Sequence, residues 1–162
     1  MSERKKTCER GEFKRLITSA LFKNAALKDL LIGDLDGMSK EQIMTKFQKH
    51  VKSHLFIDDT ITDTSTYIFY DITFPYIHEN VKTCNIVMYA ICHRDILEDY
   101  FSEEFFGNRA DILAQLVEDT ILNDDDLVYK FGIGKLQLFN SMIYNSADFY
   151  GHILTFTVPN FR

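Results

Sequence analysis

His50 and His54 stand four residues apart, the spacing at which two imidazoles share one face of a helix. Zinc would need a third ligand and an acidic helper, as HExxH supplies, and neither lies beside the pair. Late-turn histidines also suit the negative end of a helix dipole, and that reading is preferred. Asp34-Leu35-Asp36-Gly37, with Glu41 behind it, begins like a calcium loop but lacks the further oxygen ligands and closing Glu of the twelve-residue spacing. It reads as an acidic turn before a helix. Gly132-Ile133-Gly134 precedes a strand, whereas phosphate-cradling glycines follow a strand and open a helix, so it reads as a turn. The run Asn123 to Asp126 could gather a divalent cation, but most charge runs are solvated surface. No Ser-His-Asp order, nucleophile elbow or catalytic cysteine context stands out. The expectation is a protein with no catalytic residue, no metal and no cofactor. The competing expectation is an intracellular enzyme or ligand-binding module. It would use a deep pocket beside the long helix, with His93, Arg94 or Arg109 converging with Asp111.

The elements that would position these residues follow from periodicity. Phe13, Leu16, Ile17, Ala20, Leu21, Leu27, Leu30 and Leu31 recur in steps of three and four, one helical face that Gly33 stops. Ser39 with Gln42 forms a capping-box pattern ahead of Ile43, Met44, Phe47 and Val51. The period then changes to two. A short strand is expected from His54 to Ile57, and a firm one from Tyr67 to Phe74, ended by Pro75. Residues 77–80 connect it to an antiparallel strand from Lys82 to His93. After an acidic, aromatic loop over 95–106, Asn108 caps the best helix, with Ile112, Leu113, Leu116, Val117, Thr120 and Ile121 on its face. Strands over 135–145 and 149–159 close the chain as a hairpin around Ser146-Ala147-Asp148. This order predicts a single α+β domain over residues 1–162, with an antiparallel sheet of four or more strands and two main helices packed on one face.

Composition limits the function classes. The 162 residues are 46% hydrophobic and 26% charged, ordinary for a soluble globular chain. The start has no signal-peptide apolar core, and no apolar run approaches the ~20 residues that span a bilayer. Together with three cysteines in no CxxC spacing, this predicts a reducing cytoplasm, no membrane contact and no disulfide framework. Residues 1–15 carry six Lys or Arg and three Glu, net +3, which leaves −9 for the rest of a chain whose total is −6. An acidic body opposes general nucleic-acid binding. Residues 1–11 read as a basic, flexible arm.

The strongest signal is that two strands are apolar on both faces. Ile68, Tyr70, Ile72 and Phe74 oppose Tyr67, Phe69, Asp71 and Thr73; Ile86, Met88, Ala90 and Cys92 oppose Val87, Tyr89, Ile91 and His93. A two-helix layer buries one face. The other would leave a patch larger than monomers usually carry, unless the loops at 58–65 and 94–106 or neighbouring copies cover it. Assembly is favoured over cover by the loops. Tyr67, Phe69, Val87, Tyr89, Ile91, Phe105 and Phe106 are then the candidate subunit interface.

This element order resembles the tail-terminator and neck (head–tail joining) proteins of tailed bacteriophages. The segments that carry the likeness are HVKSHLFIDDTITDTSTYIFYDITFPY, GNRADILAQLVEDTILND and YGHILTFTVPNFR. The resemblance implies a non-catalytic α+β subunit of a homo-oligomeric ring, commonly a hexamer, in the virion neck or tail. Such a ring caps the tail tube and receives the head connector, and DNA passes through without specific binding. A head-completion or connector protein on the portal side is the alternative that the basic arm suits. No residue-level motif transfers, so no site is carried over.

Overall fold

The computed structural model describes residues 9–55, 63–78, 81–130 and 136–161. Two helices, α1 (Glu9–Lys23) and α2 (Ala25–Ile32), replace the single expected run. The break is Asn24, extended at φ −80° and ψ 111°. Its side-chain oxygen accepts the Leu27 N–H at 3.1 Å, and its amide donates to Thr120 Oγ1 at 2.8 Å. Asn competes with the helix for backbone donors, and here it caps a new helix instead of continuing the old one. The apolar face survives the break, with Phe13, Ile17, Ala20, Leu21, Leu27, Leu30 and Leu31 all buried.

The acidic turn at 34–37 precedes α3 (Lys40–His50), whose capping box forms as expected. The Ser39 hydroxyl accepts the Gln42 N–H at 3.2 Å, and Gln42 Oε1 accepts the Ser39 N–H at 2.9 Å. Val51 ends α3 and begins β1 (Val51–Lys52), which pairs in parallel with β2 (Thr66–His78) through Val51↔Ile68 and Lys52↔Phe69. The short strand therefore lies earlier than His54–Ile57, and residues 56–62 fall outside the described residues. β2 does not stop at Pro75. Its register against β3 (Val81–His93) shifts between Thr73 and Tyr76, which places Pro75 in an irregularity where the ladder asks for no N–H.

A single 3-10 turn (Arg94–Ile96) leads into the loop before α4 (Arg109–Asn123), capped by Asn108 Oδ1 on the Asp111 N–H at 2.8 Å. The acidic run that follows is also capping chemistry. Asp124 Oδ1 accepts the Leu127 N–H at 3.1 Å to start α5 (Asp125–Lys130), and Asp126 pairs with Lys23 at 3.1 Å. The chain closes with β4 (Gln137–Asn145) and β5 (Phe149–Phe161).

The fold is α+β, a five-stranded sheet in the order β1-β2-β3-β5-β4 with several packed helices. β2, β3, β5 and β4 are antiparallel as expected, and β1 makes the sheet mixed. The described residues form five α-helices instead of two main ones. Phe13, Leu27, Phe47, Ile112 and Leu127, one from each helix, share a core with Ile68, Tyr70, Ile86, Met88, Leu154 and Phe156 of the sheet.

Tyr70 is fully buried in that core with its hydroxyl satisfied. It donates to the Lys14 carbonyl at 2.7 Å and shares a second hydrogen bond with the Thr18 hydroxyl. Burial pushes the Tyr70 phenol up to about 12, against the opposing pull of Thr18. An unfolded tyrosine ionises near ~10, so this contribution is fully present below that pH and is lost as pH rises toward the folded value. Tyr70→Phe is expected to lower stability by about 1 kcal/mol at neutral pH and to flatten the fall above pH ~10. Urea unfolding of both proteins across alkaline pH checks this; parallel curves would contradict it.

Candidate functional site

Among the described residues, no buried helical side chain lies against the second face of the sheet. Tyr67, Phe69, Ile91 and Phe149 form their own cluster there, with Leu55, Tyr89 and Tyr144 at its margin. Ring centroids lie 5.6 Å apart for Tyr67 and Phe69, 6.1 Å for Tyr67 and Phe149, and 5.6 Å for Tyr89 and Tyr144. His50 and His93 close its rim, 5.8 Å from Tyr67 and 5.3 Å from Phe149. Gly151 allows the strands to close beneath this cluster. It pairs with Ile91 on one side and Tyr144 on the other, and a Cβ there would fall 2.0 Å from the Ala90 carbonyl oxygen.

Away from this cluster the face opens. Val87, Tyr89 and Ile153 are half-buried among Asn85, Thr155 and Thr157, a mixed apolar and polar surface. The seven expected interface residues thus divide. Tyr67, Phe69 and Ile91 are buried within the chain, and Val87 and Tyr89 lie half-open on the same face. Phe105 packs instead against the helix-side core, while Phe106 is fully exposed in the loop before α4.

Four apolar residues of the described sheet are strongly exposed: Ile77 of β2, at 64%, and three of β4, which sequence reasoning did not single out. Phe139, Met142 and Ile143 are 71%, 57% and 66% exposed. Their signal was the one that marked β2 and β3, since Leu138, Phe139, Met142, Ile143 and Tyr144 fill both parities of an uncharged strand. β4 pairs with β5 alone, so its outer edge is free among the described strands.

The residues with chemical potential are otherwise engaged. His50 Nδ1 lies 3.1 Å from Ser65 Oγ but also 2.9 Å from the Thr66 carbonyl. A carbonyl only accepts, so Nδ1 carries the proton and cannot take one from Ser65. His54 lies beyond the end of α3, exposed, so the two histidines do not share a helical face. Among the described residues no group of three or more His, Cys, Asp or Glu could hold a metal. Cys84 and Cys92 are buried, with no disulfide between them. Gly132-Ile133-Gly134, Cys8 and most of the basic arm lie outside the described residues.

Nor do the four groups of the enzyme reading converge. Arg109 lines a groove of about 460 Å³ with Asp29, His50, Ser65 and Tyr100, where its guanidinium is held by two carbonyls. Asp111 lines a separate groove of about 260 Å³ beside α4 and β5, bonded to His152 Nε2 at 2.7 Å. Ser141 shares that groove without a hydrogen bond to His152. His93 Nδ1 accepts the Asp95 N–H at 3.1 Å, and Arg94 Nε donates to the Ser146 carbonyl at 3.0 Å.

Compared with known proteins, residues 17–158 match the family model described as YomW. No curated protein matches the chain. No solved structure matches it.

Proposed function

The chain belongs to the YomW family, and on that premise we propose that it is a structural subunit that assembles with copies of itself and performs no catalysis. The observation that carries this reading is the sheet surface that none of the described helices covers. Val87, Tyr89 and Ile153 lie half-open on its face, and Phe139, Met142 and Ile143 stand exposed at its edge. Burying apolar surface gains about 25 cal/mol per Å², so a neighbour covering this strip would be held by it.

The assembly we propose is a ring at the neck or tail end of a bacteriophage particle, of the tail-terminator kind that the sequence resembles. Six copies are expected from that resemblance. The partners are the tail tube and the head connector. The net charge of −6 suits a ring through which DNA slides, because an acidic lining repels the duplex and does not hold it. Assembly would take place in the host cytoplasm. Among the described residues no helix is long and apolar enough to cross a membrane.

Electron microscopy of the purified protein, with a map of assembled particles, tests this reading. Closed rings and density for the chain at the head–tail joint are expected. A protein that forms no ring and is missing from particles would contradict it.

A further inference from the structure

We infer that β4 is a self-pairing edge, along which two copies join their sheets antiparallel about a two-fold axis. This rests on the self-assembly reading but not on the ring.

The two edges of the sheet are built differently. On one, β1 is only two residues long and carries Lys52. Beyond it β2 is guarded: Asp71 pairs with Lys14 at 2.9 Å, its carboxylate occupies the Ile72 N–H at 2.8 Å, and Pro75 interrupts the ladder. Short strands, charges, proline and irregular pairing are the devices that keep sheet edges from joining. On the other edge β4 runs nine residues, QLFNSMIYN, with no charge and no proline. Its one irregularity is the register shift between Leu138 and Asn140.

The partner that fits this strand is a second β4. In a chain of net charge −6, two copies approach most easily along an uncharged strip. Self-pairing there sets no like charges opposite one another. A two-fold axis perpendicular to the sheet keeps corresponding faces on the same side, so the helix layers align and the open faces join. The helix layer stops short of this edge, since α4 packs mainly on β5 and β3. β4 is consequently open on both sides, with Ile143 opposite His152 on the helix side and Met142 opposite Ile153 on the open side. The register that sets Ile143 against its own copy places Met142 against Tyr144 and stays clear of the irregularity at Phe139.

The test is light scattering after size-exclusion chromatography of the wild type and of Met142→Lys/Ile143→Lys. Both side chains are exposed, so the variant keeps its fold, which thermal unfolding verifies. The smallest stable unit should fall from a dimer to a monomer. Under mild oxidation in a Cys8→Ser background, Ile143→Cys should give a covalent dimer, and Ile77→Cys on the guarded edge should not. A wild type that is monomeric throughout, an oligomer unchanged by the lysines, or cross-linking from Ile77 alone would each overturn the inference. A ring that keeps its mass in the lysine variant removes this inference and leaves the ring resting on the open face at Val87, Tyr89 and Ile153 alone; a lysine-sensitive dimer that never forms rings does the reverse.

Discussion

Gly151→Ala is expected to cost about 3 kcal/mol or more, enough to lower the melting temperature by roughly 6–12 °C or to leave the protein insoluble. The reason is steric. The new Cβ would sit 2.0 Å from the Ala90 carbonyl oxygen and 2.7 Å from Ile91 Cα, both backbone atoms of the adjacent strand. No rotamer change relieves a clash with a backbone, so β3 and β5 would have to separate at the centre of the sheet. They would do so beneath Ile91 and Phe149, loosening the aromatic cluster on the open face. Gly37 makes the control. Its φ of 75° strains an alanine, but nothing lies within 4 Å of an added Cβ, so Gly37→Ala should cost only about 1 kcal/mol. Thermal unfolding of the two variants separates the effects, and equal melting temperatures would refute the steric account.

Arg109→Lys is expected to cost about 2–3 kcal/mol despite keeping the charge. The guanidinium spans two carbonyls that belong to different parts of the chain. Nε donates to Ile96 at 3.1 Å and Nη1 to Leu30 at 3.1 Å, and the planar group lies 5.2 Å from the centre of the Tyr100 ring. One side chain therefore fastens the end of α2 and the 3-10 turn to the first residue of α4. Lysine has a single nitrogen on a flexible stem and cannot hold both carbonyls in that geometry. Tyr100→Phe removes only an exposed hydrogen bond to Asp29 and should cost less than about 1 kcal/mol. Hydrogen exchange should then quicken over residues 97–106 in the lysine variant and much less in Tyr100→Phe. Matching exchange in the two would remove Arg109 from this role.

What the sequence revealed depended on how local its causes were. The Asn108 cap, the Ser39 capping box and the apolar face of α4 are written within a few residues each, and the structure contains all three. Both long hairpins were likewise visible in alternation and turn length. The break at Asn24 was half visible, because an asparagine before Ala-Ala-Leu is a capping signal. Its hydrogen bond to Thr120 is set by tertiary packing, which periodicity does not carry. Pro75 misled for a similar reason, since whether a proline ends a strand or sits in an irregularity depends on the partner's register. The parallel pairing of β1 rests on two residues, too few to give a period.

The surface was legible in the same uneven way. Apolar residues on both parities marked β2 and β3 as two-faced, and that doubling is real. Phe149 of β5 joins Tyr67, Phe69 and Ile91 in covering one end of the second face, a contact between strands far apart in sequence. The same doubling in β4 was missed, although β4 lies at the edge of the sheet, with no further strand beside it among the described residues. Phe105 and Phe106 are neighbours in sequence but lie in different environments, one against the helix-side core and one in solvent.

Under the proposed function, the open side and edge of this sheet meet other copies of the chain. Sedimentation velocity of the purified wild type over a micromolar concentration series tests it most directly. A single closed oligomer that persists on dilution is the expected result. One monomeric species at every concentration would contradict it.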